Sequence, residues 1–392
     1  MPHDRSKVGK GVHAIGVTRE GKLASLSKDP IIGAETLPNP AYLTILKRSD
    51  AASRPDALKQ GGLCVVSELS EGTFQAFAIQ CDGSEVKAKA VGSRVDSGGQ
   101  YPCHIISDTV GDMEVISVCN YGDSEGVLAL FGNSDVDNPY IQHARIAYGA
   151  GSKIDLARQE RSHAHSSEFI AAPSLSKKNL CVLDLGSDKL ISYSLASIGD
   201  HSSLECTEQS CYGAPPGTGP RSIMFNPRYE NIAVLSLEMS ATVLLVERKG
   251  DGSFVKLFEP LSLLPKGWPD ESSDEAKYNR GKWASDAVFS PCGRFLYAAA
   301  RLHNSISVFE LKMTAENNVE GIDLVQRIPT EGLTPRCLCV PECGSFILVA
   351  HQHSHEITSF SRSNADGRLE LVDRLEFPCA ACVKLVKRDM IG

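Results

Sequence analysis

No run of 18 or more apolar residues occurs in this 392-residue chain, so no segment reads as a membrane-crossing helix. There is no basic surplus either. The 40 Lys and Arg stand against 48 Asp and Glu, and the formal net charge of −8 argues against a nucleic-acid partner. The opening residues MPHDRSKVGKGVHAIG are partly basic but lack the apolar stretch of a secretory signal. No segment shows a sustained helical period of apolar residues between caps. Paired cysteine knuckles are missing as well. The thirteen cysteines are odd in number and sit mostly singly inside apolar runs, as Cys64, Cys119 and Cys181 do. A zinc site wants four ligands from two tightly spaced knuckles, and of the pairs Cys337/Cys339 and Cys379/Cys382 the first, CLC, is not such a knuckle, so no metal is expected, and no other cofactor is called for. Unpaired thiols fit a reducing compartment, most simply the cytoplasm. Oligomeric state is not legible.

What the chain does contain is repetition. Six times a short apolar run ends in a polar, glycine or aromatic residue and a second apolar run follows: at 62–77, 114–131, 180–195, 232–246, 295–309 and 346–360. The closing residues differ in every copy: Glu68, Tyr121, Gly186, Glu238, Arg301 and Gln352. Each copy reads as a β-hairpin, with Gly, Asn, Asp and Ser in the turn. Before each hairpin lies a Pro or its stand-in and a short apolar strand, as in NPAYLTIL (39–46), YPCHIISD (101–108), GPRSIMFNP (219–227) and TPRCLCVP (334–341). Counting FPCAACVKLV (377–386), there are seven such starts. A start, a hairpin and a final edge strand make one four-stranded propeller blade. The fold expected is all-β, a seven-bladed β-propeller forming one domain over residues 1–392. Segment 13–28 is expected to join the last blade and close the ring, removing a free edge. Residues 264–283 read as an inserted loop, and the acidic part 270–280 as a solvated one. Uneven spacing and the absence of a Gly-His…Trp-Asp pattern argue against the WD40 class.

Glu238 stands out on physical grounds. It ends the apolar run IAVLSL, where a charge needs a partner or a cavity. Arg301 and Gln352 fall at the same strand-end position in later copies, so a ring would bring all three to one mouth of its channel.

The ordered pieces NPAYL (39–43), YPCHI (101–105), RQERSHAHS (158–166), DLGSDKLISY (184–193), GPRSIMFNP (219–227), LEMSATV (237–243), SDAVFSPCGRFLY (285–297) and TPRCLCVPECGSF (334–346) resemble the seven-bladed lactonase family. That family includes propeller-type 6-phosphogluconolactonases and carboxy-cis,cis-muconate cyclases. The resemblance implies that catalysis falls on His165, Arg221, Glu238 and Arg301, and that Arg336 and Gln352 contribute to substrate binding. Three departures are visible: family members often carry histidine after GPR and asparagine before the glutamate, where this chain has Ser222 and Leu237, and the segment NYGDSEG (120–126) is one residue longer than usual.

The implied activity is hydrolysis of a small anionic sugar lactone, foremost 6-phosphogluconolactone to 6-phosphogluconate. His165 or Glu238 would activate water, and Arg221 and Arg301 would stabilise the oxyanion or bind an anionic group. For a phosphorylated substrate, Arg336 and one of His163 or His104 are the phosphate ligands expected. A muconate-type lactonising cyclase and a non-enzymatic binding propeller are the alternatives. Asp184 and Asp188, in DLGSD, read as turn formers.

Overall fold

The computed structural model describes residues 11–27, 29–48, 54–82, 85–122, 124–133, 140–170, 177–198, 203–268 and 283–387. Among these residues the regular structure is β-strand, apart from one 3-10 turn at Asp56–Leu58. No helix among them is long and apolar enough to cross a membrane. The acidic segment 270–280 lies outside the described residues.

Four short strands come first: β1 (Gly11–Val12), β2 (Ile15–Val17), β3 (Leu23–Ser25) and β4 (Ile32–Gly33), with β1 paired to β4 and β2 to β3. Six antiparallel meanders follow, each with its strands in chain order. The first is β5 (Pro40–Leu46), β6 (Gly62–Ser67), β7 (Thr73–Asp82) and β8 (Glu85–Asp96). The second is β9 (Pro102–Val110), β10 (Met113–Asn120), β11 (Gly126–Asn133) and β12 (Tyr140–Tyr148). The third is β13 (Ala164–Ile170), β14 (Lys177–Asp184), β15 (Lys189–Ile198) and β16 (Ser203–Gly213). The fourth is β17 (Pro220–Phe225), β18 (Ile232–Leu237) and β19 (Thr242–Arg248), whose outer neighbour is split into β20 (Phe254–Lys256) and β21 (Leu261–Ser262). The fifth is β22 (Ala284–Phe289), β23 (Phe295–Ala300), β24 (Ser305–Met313) and β25 (Val319–Pro329). The sixth is β26 (Pro335–Cys339), β27 (Phe346–His351), β28 (Glu356–Arg362) and β29 (Leu369–Glu376). The start at 377–386 forms no strand.

Burial explains why these runs fold as they do. The second strand of a sheet is buried on both faces, as in β6, β10, β18, β23 and β27, and its sequence is mainly apolar, with Glu114 of β10 a buried charge paired to Arg54. The fourth strand alternates and is largely exposed, as in β8 and β29.

The chain divides into two compact units. One comprises the described residues of 11–15, 25–216 and 386–387 and holds the first three sheets. Its cores lie between consecutive sheets: Phe74, Phe131 and Tyr140 between the first and second, and Leu128, Val182 and Tyr193 between the second and third. A third cluster under the first sheet gathers Leu63, Val65 and Phe77 with Val12, Ile31 and, from the far end of the chain, Val386. The other unit comprises the described residues of 16–24 and 217–385 and holds the last three sheets. Leu245, Phe289 and Leu296 pack between the fourth and fifth sheets, and Tyr297, Val308 and Phe360 between the fifth and sixth. Residues near the N-terminus dock on the sixth sheet, where Leu23 donates its N–H to Asp373 (3.0 Å) and Lys22 Nζ reaches the Val372 carbonyl (3.1 Å).

Candidate functional site

Two local features recur in all six sheets and decide where the polar side chains go. The first is a hydrogen bond from the residue after the second strand to the carbonyl just before the first strand. It runs from Glu68 to Asn39, Tyr121 to Tyr101, Leu185 to His163, Glu238 to Gly219, Arg301 to Trp283 and Gln352 to Thr334, at 2.8–3.1 Å. Five of the six closing residues read from the sequence are thereby equivalent in structure. The third is corrected: Leu185, not Gly186, holds that place, because β14 runs one residue short of the glycine and Asp184 opens the turn. Asp184 accepts the N–H groups of His163 (2.6 Å), Gly186 (3.0 Å) and Ser187 (3.2 Å), the turn-forming role read for it. Burial pushes its pKa up against those hydrogen bonds.

The second feature is a β-bulge near the start of each first strand. The register skips Ala41, His165, Arg221 and Arg336, and slips at Cys103 and across Ser285–Asp286. A bulge sets two residues against one and re-aims a side chain. The three bulged positions that hold a large polar group, His165, Arg221 and Arg336, are all residues singled out from the sequence. The chain enters several of these strands through a left-handed residue before a proline, as at Gly219 (φ 62°) and Thr334 (φ 60°). Glycine takes that conformation freely, whereas a β-branched threonine is strained in it. Thr334 is held by Asn304 Oδ1 on its N–H (2.8 Å) and by a hydroxyl contact with His353 Nδ1 (2.8 Å).

In the unit built on residues 217–385, these features converge on a charge cluster. Glu238 is 1% exposed. Arg221 Nη1 donates to its Oε2 at 2.6 Å. Arg301 Nη2 lies 2.7 Å from the same oxygen, an ion-pair contact without hydrogen-bond alignment, and Arg301 Nε has no hydrogen-bond partner among the described residues. The Arg301 pKa is pushed down to about 10, first by burial; Glu238 opposes this, and the charges of Arg221 and Arg336 add to it. Arg336 Nη1 donates to Gln352 Oε1 at 3.1 Å. Two guanidinium groups therefore contact one buried carboxylate, and the charge of a third, Arg336, acts on Arg301. Asp286 lies nearby and accepts the Leu338 N–H (3.0 Å). Burial raises its pKa, opposed by that hydrogen bond and by the charges of Lys384 and Arg221.

The three candidate histidines lie in the other unit. His163 stacks on Tyr121 (4.1 Å between centroids, 15°), and its Nδ1 is 3.0 Å from the Tyr121 carbonyl. Glu160 Oε1 is 3.5 Å from His163 Nε2. His165 meets the same tyrosine edge-on at 5.9 Å, and Cys103 Sγ contacts its carbonyl at 3.4 Å. His104 packs on Tyr42 (4.5 Å), and its Nδ1 faces the Ser167 N–H at 3.4 Å. Among the described residues no group of three His, Cys, Asp or Glu is placed to hold a metal ion.

The structure thus brings Arg221, Glu238, Arg301 and Arg336 together, with Gln352 on Arg336. It adds groups that were not singled out as site residues: Trp283 and Asp286 within that unit, and Tyr121 beside the histidines within the other. Tyr121 was visible as a closing residue. Asp286, one residue after a bulge, gave no signal in the sequence pattern.

The profile of the family described as lactonase, 7-bladed β-propeller, matches residues 3–385. The chain is 26% identical to the 6-phosphogluconolactonase of Bacillus subtilis (strain 168) over 380 residues, 96% of this chain and 95% of that one. It is 28% identical to the 6-phosphogluconolactonase of Formosa agariphila over 372 residues, 93% and 92% of the two chains. Among solved structures, the periplasmic gluconolactonase of Pseudomonas aeruginosa superposes with a TM-score of 0.75 at 23% identity, covering 97% of this chain and 96% of that one. That last likeness speaks to fold.

Proposed function

The chain belongs to the seven-bladed β-propeller lactonase family, and from that premise we propose that it opens 6-phosphogluconolactone to 6-phosphogluconate. It is a lactone-hydrolysing enzyme of that family. The observation that carries the finer reading is the buried pair of guanidinium groups on Glu238, with the Arg336 charge acting on Arg301. Such a cluster suits a substrate that arrives anionic and gains a further negative charge as it reacts.

In this reading, water attacks the lactone carbonyl carbon while a base takes its proton. The carbonyl oxygen becomes an oxyanion, and the ring C–O bond then breaks as its oxygen takes up a proton, so that one water is added in all. Arg221 and Arg301 bind the oxyanion or the substrate's anionic group; such electrostatic stabilisation contributes about 10²–10³-fold. Arg336, oriented by Gln352, binds phosphate, and His163 or His104 is the further phosphate ligand.

Glu238 is one candidate base. With one oxygen already engaged by two guanidiniums, it is also the group that holds them in place. His165 is the other, and its standing rests on occupying within its own sheet the bulged position that Arg221 and Arg336 occupy in theirs.

The reading includes a single ring-shaped domain in the cytoplasm, with its seventh blade assembled from segments near both chain ends. Within one unit Leu23 docks on Asp373, and within the other Val386 packs beside Val12.

The test is the rate of disappearance of freshly generated 6-phosphogluconolactone, beside its non-phosphorylated analogue, with spontaneous hydrolysis subtracted. His165→Ala and Glu238→Gln should each lower turnover by about 10²–10⁴-fold. Full turnover in both variants overturns the scheme. No acceleration of either lactone by the parent protein turns the reading to a lactonising cyclase or a binding scaffold.

A further inference from the structure

The chain has two tryptophans. One of them, Trp283, stands at the arginine cluster. It immediately precedes β22, its carbonyl accepts the Arg301 N–H at 2.8 Å, and the Arg301 guanidinium carbon lies 5.0 Å from the centre of its ring. A guanidinium over an indole is attracted to the ring's negative face by about 0.5–2 kcal/mol. Tryptophan is usually well buried, yet Trp283 is 36% exposed. Arg301 is itself buried, its Nε lacks a hydrogen-bond partner among the described residues, and its guanidinium contacts both Trp283 and Glu238. The result is a partly exposed indole that carries the Arg301 guanidinium on its ring.

We propose that Trp283 is a specificity-determining residue, whose indole stacks on the C–H face of a ring-closed carbohydrate while the arginines hold that molecule's anionic group. The inference rests on the lactonase reading and narrows it. A sugar ring turns weakly positive C–H bonds toward one face, and these match the negative π-face of the indole, while its hydroxyl and phosphate groups project from the edge. A bare anion gains the ion pairs but has nothing to stack. Hydrolysis opens the ring, so the product loses the stacking that the substrate had, which favours its release.

The test combines kinetics with indole emission. Trp283→Ala should raise KM for 6-phosphogluconolactone about 10-fold with kcat within about 3-fold, and Trp283→Phe should fall between it and the parent. Glucose 6-phosphate, a stable ring bearing phosphate, should change the emission of the parent and of Trp268→Phe, and leave that of Trp283→Phe unmoved. Inorganic phosphate should give a smaller change. Trp268 packs on His303 (5.3 Å) and the apolar core, so its replacement serves as the control. An unchanged KM in Trp283→Ala, or an emission change that belongs to Trp268, overturns the proposal. If the parent opens no lactone, the lactonase reading falls on that result alone. The emission arm then still decides: a response of Trp283 to glucose 6-phosphate sustains the stacking, and silence ends it.

Discussion

Replacing Glu238 by glutamine removes one negative charge and almost no volume, so its consequences are nearly all electrostatic. In the parent, Oε2 contacts Arg221 at 2.6 Å and Arg301 at 2.7 Å, with the carboxylate 1% exposed. At an effective dielectric of about 20, a pair of unit charges about 4 Å apart is worth about 4 kcal/mol. Removing one partner of a buried pair is found to cost about 3–5 kcal/mol, because the other charge is left uncompensated. Two guanidiniums lose their counter-charge here, and Arg336 adds a third cation in range. The expected loss is therefore about 3–5 kcal/mol in the unfolding of the unit that holds the last three sheets. The same reasoning makes a second, opposite prediction. The variant should bind inorganic phosphate more tightly than the parent does, and phosphate at about 100 times its dissociation constant should return about 2.7 kcal/mol. Urea unfolding with and without phosphate measures both quantities. A double-mutant cycle with Arg301→Gln should show that the two losses do not add, since the pair vanishes once. A Glu238→Gln protein as stable as the parent and indifferent to phosphate would refute the claim that this carboxylate restrains a cation excess.

His351 gives a pH dependence of known sign. It is buried at the end of β27 with Nε2 on Thr358 Oγ1 (2.8 Å), and burial first, then the Arg374 charge, push its pKa from 6.5 to about 4. The folded value lies below the unfolded one, so the unfolded chain takes up the proton first. Stability falls by about 3 kcal/mol as pH drops from about 6.5 to about 4, and His351→Gln should flatten that slope in urea melts at several pH values. Thiol reactivity should be uneven. Cys343, exposed and lowered by its Ser345 hydrogen bonds, and Cys292, where burial is outweighed by Ser290, the Arg294 N–H and Arg362, should be alkylated first by iodoacetamide. Buried Cys119, pushed up to about 12, should react only on unfolding, as peptide mass spectrometry would show. Ser222 and Ser236 face each other in register, both hydroxyls buried and without a partner among the described residues. Ser236→Ala should cost nothing measurable, whereas Ser117→Ala, which breaks the 2.9 Å contact with Ser167, should cost about 1 kcal/mol in thermal melts.

Much of this arrangement could be read before any coordinates, and particular residues show why the rest could not. The second strands were legible because burial on both faces writes them as mainly apolar runs. The charge ending such a run, Glu238 or Arg301, was legible because it contradicts its neighbours. Trp283 was passed over because a lone aromatic beside a strand reads as ordinary core, and only its exposure and the guanidinium above it say otherwise. The bulges were hidden for a deeper reason. Strand alternation assigns faces by counting in twos, and a bulge inserts a residue that the count does not reveal. His165, Arg221 and Arg336 each follow a Pro or its stand-in and sit where the count fails, so periodicity alone gives their side chains no fixed direction. Their roles reached the sequence reading through resemblance to a family, not through spacing. The same disruption suits them to function. A residue freed from the ladder need not satisfy either face of its sheet, so the same bulge holds alanine at 41, histidine at 165 and arginine at 221 and 336 without altering the strands around it.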